Sequence, residues 1–215
     1  MTRCCFDLFH GDPLAGATFA DDVPLFRNAL EAGWVAMFHK LTQGAGFSDQ
    51  LGAGRLHAAV QAGLSVGGYH FMTQTDSVSS QVANFMRGVG RAPSPLLLCL
   101  DFEPIDATGT AEKMASQFVN AIRMATGKWP VLYTGRWDID PIPLDNLPAC
   151  PLWLSEYGTN PVLPATFKSW FLHQYSDGTV GPEPVDIPGI GLVDQSEFEG
   201  STADLVRQWA MLAAS

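Results

Sequence analysis

Short apolar runs alternate with longer amphipathic segments from residue 4 to residue 134, and this alternation constrains the fold more than any other feature. Strands are predicted at 4–9, 34–38, 65–71, 96–102 and 130–134, with helices between them at 22–32, 51–62, 76–89 and 110–126. Run 96–102 is almost continuously apolar, which is typical of a strand covered on both faces. This order predicts a parallel sheet with right-handed crossovers.

The pattern changes after residue 135, where proline and glycine become frequent. Three further apolar runs, 152–155, 170–175 and 191–193, have no helix-length segment between them, and only 202–213 again has helical spacing. We therefore predict an α/β fold, a TIM-like (β/α)-barrel with five βα units followed by three strands lacking full helices. No linker or repeat divides the chain, so residues 1–215 are expected to form one domain.

The charge balance argues against two classes of partner. The chain has 12 Lys+Arg and 22 Asp+Glu, a formal net charge of −10. Nucleic acids and anionic membrane surfaces both require clustered basic residues, so neither is an expected partner. No apolar run approaches the roughly 18 residues that a membrane span needs, and the first residues have no secretory-leader pattern.

Cysteine and histidine spacing does not indicate a metal or redox site. Cys4, Cys5, Cys99 and Cys150 lack CxxC spacing, and the histidines lack HxxxH spacing. Buried, reduced thiols are expected for the cysteines in apolar strands. No metal and no cofactor is expected.

Polar and aromatic residues follow the eight apolar runs at their carboxyl ends. In chain order they are Asp7 and His10, His39 and Lys40, Tyr69 and His70, Asp101 and Glu103, Tyr133 and Thr134, Glu156 and Tyr157, Gln174 and Tyr175, and Asp194. Any one of them is equally well explained as a satisfied polar group at a strand end. In an α/β barrel these ends surround one mouth, so together they favour a shared site.

The sequence Asp101-Phe102-Glu103 ends the most apolar strand. Residues two apart on a strand face the same way, so the two carboxyl groups are predicted to be neighbours. Repulsion and partial desolvation should keep one protonated while the other is ionised. Glycoside hydrolysis requires such a pair, an acid for the leaving oxygen and a carboxylate for the developing positive charge. A magnesium or calcium site is the alternative, although the spacing does not fit a calcium-binding loop.

Aromatic residues near the strand ends suit a sugar cleft, because a flat ring with a polar edge matches the face of a pyranose. They are Tyr133, Trp137, Trp153, Tyr157 and Tyr175. Each alone is compatible with core packing, Trp153 above all. His70 is expected to orient a substrate or a neighbouring side chain rather than to catalyse.

The same residues, in the same order, resemble glycoside hydrolase family 25 lysozymes. The similar segments are 6–7, 38–44, 68–71, 101–103, 130–134, 153–157, 173–175 and 191–198. The resemblance implies a flattened barrel of five βα units plus three antiparallel strands. It also implies cleavage of the β-1,4 bond between N-acetylmuramic acid and N-acetylglucosamine in peptidoglycan, with glycan strands as the partner and no separate wall-binding domain.

The resemblance also implies roles for individual residues. Glu103 is the expected general acid/base, and Asp101 is expected to orient the acetamido group or stabilise an oxazolinium-like intermediate. Asp7 and Asp194 complete the acidic cluster. If Glu103 is a desolvated acid beside ionised Asp101, a bell-shaped pH profile with an acidic optimum is expected.

The expected substrate-binding residues are Tyr69, His70, Tyr133, Trp153, Tyr157, Gln174, Tyr175 and Lys40, of which Tyr69, Tyr133 and Gln174 would line the −1 site. The sequence departs from the family pattern at Gln43, at 10–12, at His173 and at 195–196. Substrate subsites are therefore expected to differ in detail.

Two other functions stay open at this point: a non-catalytic glycan-binding domain on the same barrel, and another N-acetylhexosaminidase of the chitinase type. A monomer is expected, made in the cytoplasm and acting on the cell wall after release by another system. A phage endolysin and an injected effector both fit this expectation.

Overall fold

The structure is a computed structural model that describes residues 1–12, 14, 19–104, 109–136, 146–183 and 185–213. Strands and helices alternate along most of its length. The elements are β1 (Thr2–Leu8), α1 (Phe19–Glu31), β2 (Ala36–Gln43), β3 (Phe47–Ser48), α2 (Gly52–Ala62), β4 (Ser65–Phe71), α3 (Val78–Val89), β5 (Leu97–Asp101), α4 (Gly109–Thr126), β6 (Val131–Gly135), β7 (Leu152–Ser155), β8 (Leu172–Ser176), β9 (Asp194–Phe198) and α5 (Thr202–Leu212).

Eight strands close into a barrel. β1 pairs in parallel with β2, and the parallel ladder continues through β4, β5, β6, β7 and β8. β9 completes the circle, antiparallel to both β8 and β1. The two-residue strand β3 forms a hairpin with the end of β2 and stays outside the circle. The predicted α/β barrel is therefore confirmed.

The last strands differ from expectation. β7 runs parallel to both of its neighbours and β8 runs parallel to β7, so of the implied three antiparallel strands only β9 is antiparallel to both of its neighbours. The eighth strand is Asp194–Phe198 rather than the apolar run 191–193, where Gly191 has a φ of 100° that a strand does not accept. Trp137 and the rest of the segment 137–145 lie outside the described residues.

Local sequence explains where the helices begin and end. Gly63 ends α2 with a φ of 104°, which glycine adopts without steric cost. Ser77 caps α3 by accepting a hydrogen bond from the Ser80 backbone, and Ser201 forms a capping box with Asp204 at the start of α5. None of the helices that the structure describes is both long and apolar enough to cross a membrane.

Two apolar layers lie on opposite faces of the sheet. On β5, Leu98 and Leu100 belong to the layer between the barrel and its surrounding helices, whereas Leu97 and Cys99 belong to the layer inside the barrel. This alternation explains the continuous apolar run in the sequence. The four cysteines are buried and form no disulfide, as expected for those in strands.

Helix α5 closes the end of the barrel where the parallel strands begin. Trp209 packs against the ring of Phe38 with ring centroids 4.8 Å apart, and its indole Nε1 donates a hydrogen bond to the Val66 carbonyl at 2.9 Å. Gly67 makes room for this packing, because a Cβ there would overlap the Phe38 ring. The opposite end, where the parallel strands finish, stays open for a site.

Candidate functional site

A cleft of about 550 Å³ opens at the carboxyl ends of the parallel strands. Its walls come from β1, β2, β4, β5, β6, β7 and β9 and from the residues just after β1 and β5. The lining side chains are Asp7, Phe9, Lys40, Tyr69, Phe71, Asp101, Glu103, Tyr133, Trp153 and Asp194. The structure therefore brings together all four predicted acidic residues and, with them, Lys40, Tyr69, Tyr133 and Trp153.

Two lining residues, Phe9 and Phe71, were not predicted as site residues. Phe9 follows Asp7 by two positions, and Phe71 follows Tyr69 by two positions. Because side chains two apart on a strand share a face, both rings point towards the same mouth as their predicted neighbours. The spacing of two residues from Asp7 and from Tyr69 could therefore have predicted that Phe9 and Phe71 face the cleft.

Asp101 and Glu103 occupy very different environments. Asp101 is the last residue of β5 and is only 7% exposed, whereas Glu103 lies beyond the strand and is exposed at the mouth. Burial raises the pKa of Asp101 well above its usual value, and the charge of Glu103 and a hydrogen bond with it raise that pKa further. The expectation that Glu103 is the desolvated member of the pair is therefore wrong; Asp101 is.

Asp101 also carries an unsatisfied oxygen. Its buried Oδ1 has no hydrogen-bond partner in the described part of the structure. A buried polar atom without a partner is costly, and such atoms are rare in native proteins. Because Asp101 lines the cleft, this oxygen is placed to interact with a bound molecule.

Asp7 and Asp194 form a second pair of carboxyl groups. They are register partners on the antiparallel strands β1 and β9. Burial, followed by the charges of Asp12, Asp177 and Glu103, raises the pKa of Asp194 to about 7. Burial and the charge of Asp194 raise the pKa of Asp7, while a hydrogen bond from Gln174 lowers it.

Gln174 lies behind the cleft wall and connects three of its groups. Its Nε2 donates to Asp7 Oδ1 at 3.1 Å, and its Oε1 accepts a hydrogen bond from the Tyr133 hydroxyl at 2.9 Å. The Ser155 hydroxyl also donates to Oε1, at 3.3 Å. Gln174 is 1% exposed, so it orients Asp7 and Tyr133 rather than forming the cleft surface.

Lys40 is the one basic side chain among the residues that line the described cleft. Its Nζ lies 4.7 Å from the centroid of the Phe71 ring and donates a hydrogen bond to Gln43 Oε1 at 3.0 Å. Burial lowers the pKa of Lys40, and the charges of Asp101, Asp49 and Glu103 act against that shift. In return, the ammonium charge lowers the pKa of Asp101.

Trp153 forms the floor of the cleft rather than an exposed platform. It is 2% exposed, it stacks on Phe38 with centroids 4.6 Å apart, and its Nε1 donates to Ser196 Oγ at 2.9 Å. The ring edge meets Tyr133 at a centroid distance of 4.8 Å. Trp153 therefore combines the two roles that the sequence left open, core packing and cleft lining.

Two predicted substrate-binding residues point away from the cleft. His70 is completely buried, with its ring nitrogens 2.7 Å from Thr42 Oγ1 and 3.2 Å from Gln81 Oε1. Tyr175 donates its hydroxyl proton to Gln195 Oε1 at 2.7 Å on the opposite face of β8. Both side chains lie outside the cleft for the same reason. Each residue directly follows an inward-facing residue on its strand, so it must face outward.

Tyr157 was also predicted to bind substrate, and it lies beyond the end of β7. Its side chain is half-exposed and is not among those that line the cleft. Burial raises the pKa of Tyr157, and so does the charge of Asp194. Tyr157 is therefore within the electrostatic reach of Asp194, although it does not form part of the cleft wall.

The chemistry of the cleft is that of carboxyl groups in different environments, arranged around a short apolar and aromatic wall. In the part of the chain that the structure describes, no three His, Cys, Asp or Glu side chains are arranged to hold a metal ion. An exposed carboxyl group beside a buried one suits proton transfer to a leaving group next to electrostatic stabilisation.

Solved structures with the same fold include a lysozyme, a muramidase and a family 25 glycosyl hydrolase. A bacterial lysozyme from Streptomyces coelicolor aligns with a TM-score of 0.75 and 22% identity, covering 98% of this chain and 96% of that one. A muramidase from Acremonium alcalophilum aligns with a TM-score of 0.74 and 23% identity, covering 98% and 99%. A family 25 glycosyl hydrolase from Bacillus anthracis aligns with a TM-score of 0.75 and 20% identity, covering 96% and 93%.

The sequence itself gives the stronger evidence for kinship. No curated protein sequence matches the chain significantly. The family model for glycosyl hydrolases family 25, however, matches residues 18–183, a span that includes most of the barrel and the Asp101–Glu103 pair. With this match, the closed barrel and the acidic cleft, the chain belongs to family 25 of the glycosyl hydrolases.

Proposed function

We propose that this chain is a muramidase that hydrolyses the β-1,4 bond between N-acetylmuramic acid and N-acetylglucosamine in peptidoglycan. Membership of family 25 makes it a glycoside hydrolase. Similar structures of that fold carry the names lysozyme and muramidase. Within this chain, the proposal rests on the cleft and its carboxyl groups.

One observation carries the proposal: an exposed carboxyl group at the mouth lies next to a buried one with an unsatisfied oxygen. Glu103 is accessible to a glycosidic oxygen that enters the cleft. Asp101 Oδ1 needs a hydrogen-bond partner, and the N–H of a substrate acetamido group would supply it. Both sugars of the peptidoglycan repeat carry such an N-acetyl group.

The proposed reaction begins when Glu103 transfers its proton to the leaving oxygen as the bond between that oxygen and the anomeric carbon breaks. Positive charge then develops on the sugar. Asp101 orients the acetamido group or stabilises the oxazolinium-like intermediate that forms if the acetamido oxygen assists. A water molecule completes the reaction by adding its hydroxyl to the anomeric carbon, and its proton returns to Glu103.

The remaining groups act through position and charge. Asp7 and Asp194 lie beside each other in the cleft wall, where either carboxyl group, when ionised, favours a developing cation. Gln174 fixes Asp7 and the Tyr133 hydroxyl in one network. Preorganised groups of this kind lower the barrier because they need no rearrangement when charge develops.

Product analysis on purified peptidoglycan tests the proposal. The soluble products are reduced with borohydride, and mass spectrometry identifies the sugar at the reduced end. A muramidase leaves N-acetylmuramic acid there, whereas reduced N-acetylglucosamine would place the cut at the other linkage and contradict the proposal. A chitin oligomer is the control substrate. Cleavage of chitin without cleavage of peptidoglycan would indicate a chitinase-type enzyme, and glycan binding without any product would indicate a binding domain.

A further inference from the structure

An exposed aromatic surface continues from the cleft across its rim. We call Phe9, His10 and Phe47 the aromatic ledge. Phe9 and Phe47 are 38% and 42% exposed, and the His10 side chain between them is 48% exposed. The His10 ring lies 5.3 Å from the Phe9 ring and 5.4 Å from the Phe47 ring, measured between centroids.

The carboxyl groups of Asp49 and Asp12 fix the first half of the ledge. Asp49 is 5% exposed, and its Oδ2 accepts a hydrogen bond from the His10 backbone at 2.9 Å and lies 3.0 Å from the ring Nδ1. The Phe9 backbone donates to Asp12 Oδ2 at 2.6 Å. The Phe9 ring packs closely against Gly11, where a Cβ would overlap it. The turn after β1 therefore holds both rings in place.

A buried amide fixes the second half. Phe47 begins β3, and the Asn84 side chain, 3% exposed, donates at 2.9 Å to the backbone carbonyls of both Phe47 and Gly44. The Ala45 backbone donates to Asp76 Oδ2 at 2.9 Å. The hairpin is thus tied to α3 and to the turn before it. A large apolar ring is displayed on a rigid support, which reduces the entropy lost when a ligand binds.

We propose that the aromatic ledge is an additional sugar-binding subsite, which holds the glycan strand beyond the sugars contacted by the carboxyl groups. This inference rests on the proposed function. Phe9 belongs both to the cleft wall and to the ledge, so a chain bound in the cleft continues directly onto it. The exposed surface is aromatic, which suits the apolar face of a pyranose, and aromatic anchors commonly dominate binding energy.

Glycan length is the variable that tests the proposal. We would compare kcat/KM for a tetrasaccharide and an octasaccharide of alternating N-acetylglucosamine and N-acetylmuramic acid, both without peptides. Phe47→Ala removes the outer ring, Phe47→Tyr preserves it, and Met124→Ala, at a position 87% exposed on α4, is the control. The octasaccharide to tetrasaccharide ratio should fall about tenfold in Phe47→Ala. It should stay at the wild-type value in Phe47→Tyr and Met124→Ala.

Two results would overturn the ledge without affecting the proposed function. One is an unchanged ratio in Phe47→Ala. The other is a loss of kcat/KM in Phe47→Ala that occurs only on glycan strands carrying peptides. That result would identify a peptide as the occupant of the ledge. If the wild type cleaves neither oligomer, product analysis on peptidoglycan still decides the proposed function, and calorimetric binding of the octasaccharide decides the ledge separately. Equal affinity of the wild type and Phe47→Ala would overturn it, and weaker binding by Phe47→Ala would support it.

Discussion

Asp7 and Asp194 face each other across the antiparallel pair of β1 and β9, as direct register partners, at the edge of the cleft. Like charges directly opposite on a sheet are destabilising, and burial adds to the cost. Both carboxyl groups therefore have a raised pKa, which for Asp194 is about 7. Burial, together with the charges of neighbouring carboxylates, therefore makes these two groups destabilise the folded state more as the pH rises.

Asp194→Asn should stabilise the protein at neutral pH. Because the pKa of Asp194 is raised in the folded state to about 7, its contribution to stability is fully present below pH 3.8 and is lost as the pH rises to 7. Asparagine does not ionise, so the variant should gain about 1–3 kcal/mol in the free energy of unfolding at pH 7 and much less at pH 4. Urea unfolding at both pH values measures this difference.

Asp204→Asn is a control in which the free energy of unfolding should change in the opposite direction at pH 7. Hydrogen bonds from Ser201 lower the pKa of Asp204, so its contribution is present above the ordinary pKa and is lost at lower pH. That variant should be less stable than the wild type at pH 7. If Asp194→Asn were equally destabilised at both pH values, the destabilising effect of ionised Asp194 would be ruled out.

His70 should matter for stability rather than for substrate binding. Burial lowers its pKa to about 4, so its contribution to stability is present above pH 6.5 and is lost as the pH falls towards 4. His70→Gln should cost about 1–3 kcal/mol at pH 7, with a smaller difference from the wild type at pH 4. The kcat/KM of the folded enzyme should stay within about twofold.

Chemical unfolding and steady-state kinetics on the same His70→Gln preparation separate the two roles. His57→Gln, at an exposed position on α2, is the matched control and should change neither quantity. A large loss of kcat/KM with unchanged stability would restore His70 to the substrate-binding residues.

Lys40→Met should move the pH dependence of the reaction. The Lys40 ammonium lowers the pKa of Asp101, so its removal should raise that pKa further. We expect a bell-shaped profile of kcat/KM, in which the limb set by Asp101 moves to higher pH in the variant. Lys113→Met, exposed on α4, should leave the profile unchanged. If kcat/KM of Lys40→Met falls at every pH and the profile keeps its position on the pH axis, Lys40 contributes to substrate binding alone.

The sequence was sufficient to predict the barrel because its strands and helices differ clearly in period. It failed at the eighth strand, where β9 carries Gln195 and Ser196 at fully buried positions. Their hydrogen bonds to Tyr175 and Trp153 satisfy them inside the protein. Such partners come from strands distant in sequence, so a hydropathy pattern cannot reveal them.

The four predicted carboxyl groups line one cleft, whereas adjacent residues that were both assigned to the site do not both face it. Tyr69 faces the cleft, so His70 cannot; Gln174 points into the barrel towards Asp7, so Tyr175 faces away from it. The different burial of Asp101 and Glu103 depends on where β5 ends, which is a property of the closed sheet. Phe47 lies 37 positions after His10 in the sequence, so only the folded structure brings the aromatic ledge together.

Glu103→Gln tests the central claim most directly, because it removes the proposed proton donor without changing the size of an exposed side chain. The measurement is the rate at which purified peptidoglycan releases soluble fragments ending in N-acetylmuramic acid, for the wild type, Glu103→Gln and the control Glu31→Gln. We predict a loss of about 10²-fold or more for Glu103→Gln, with unchanged stability and a normal rate for the control. A Glu103→Gln enzyme that releases these fragments at the wild-type rate would contradict the account.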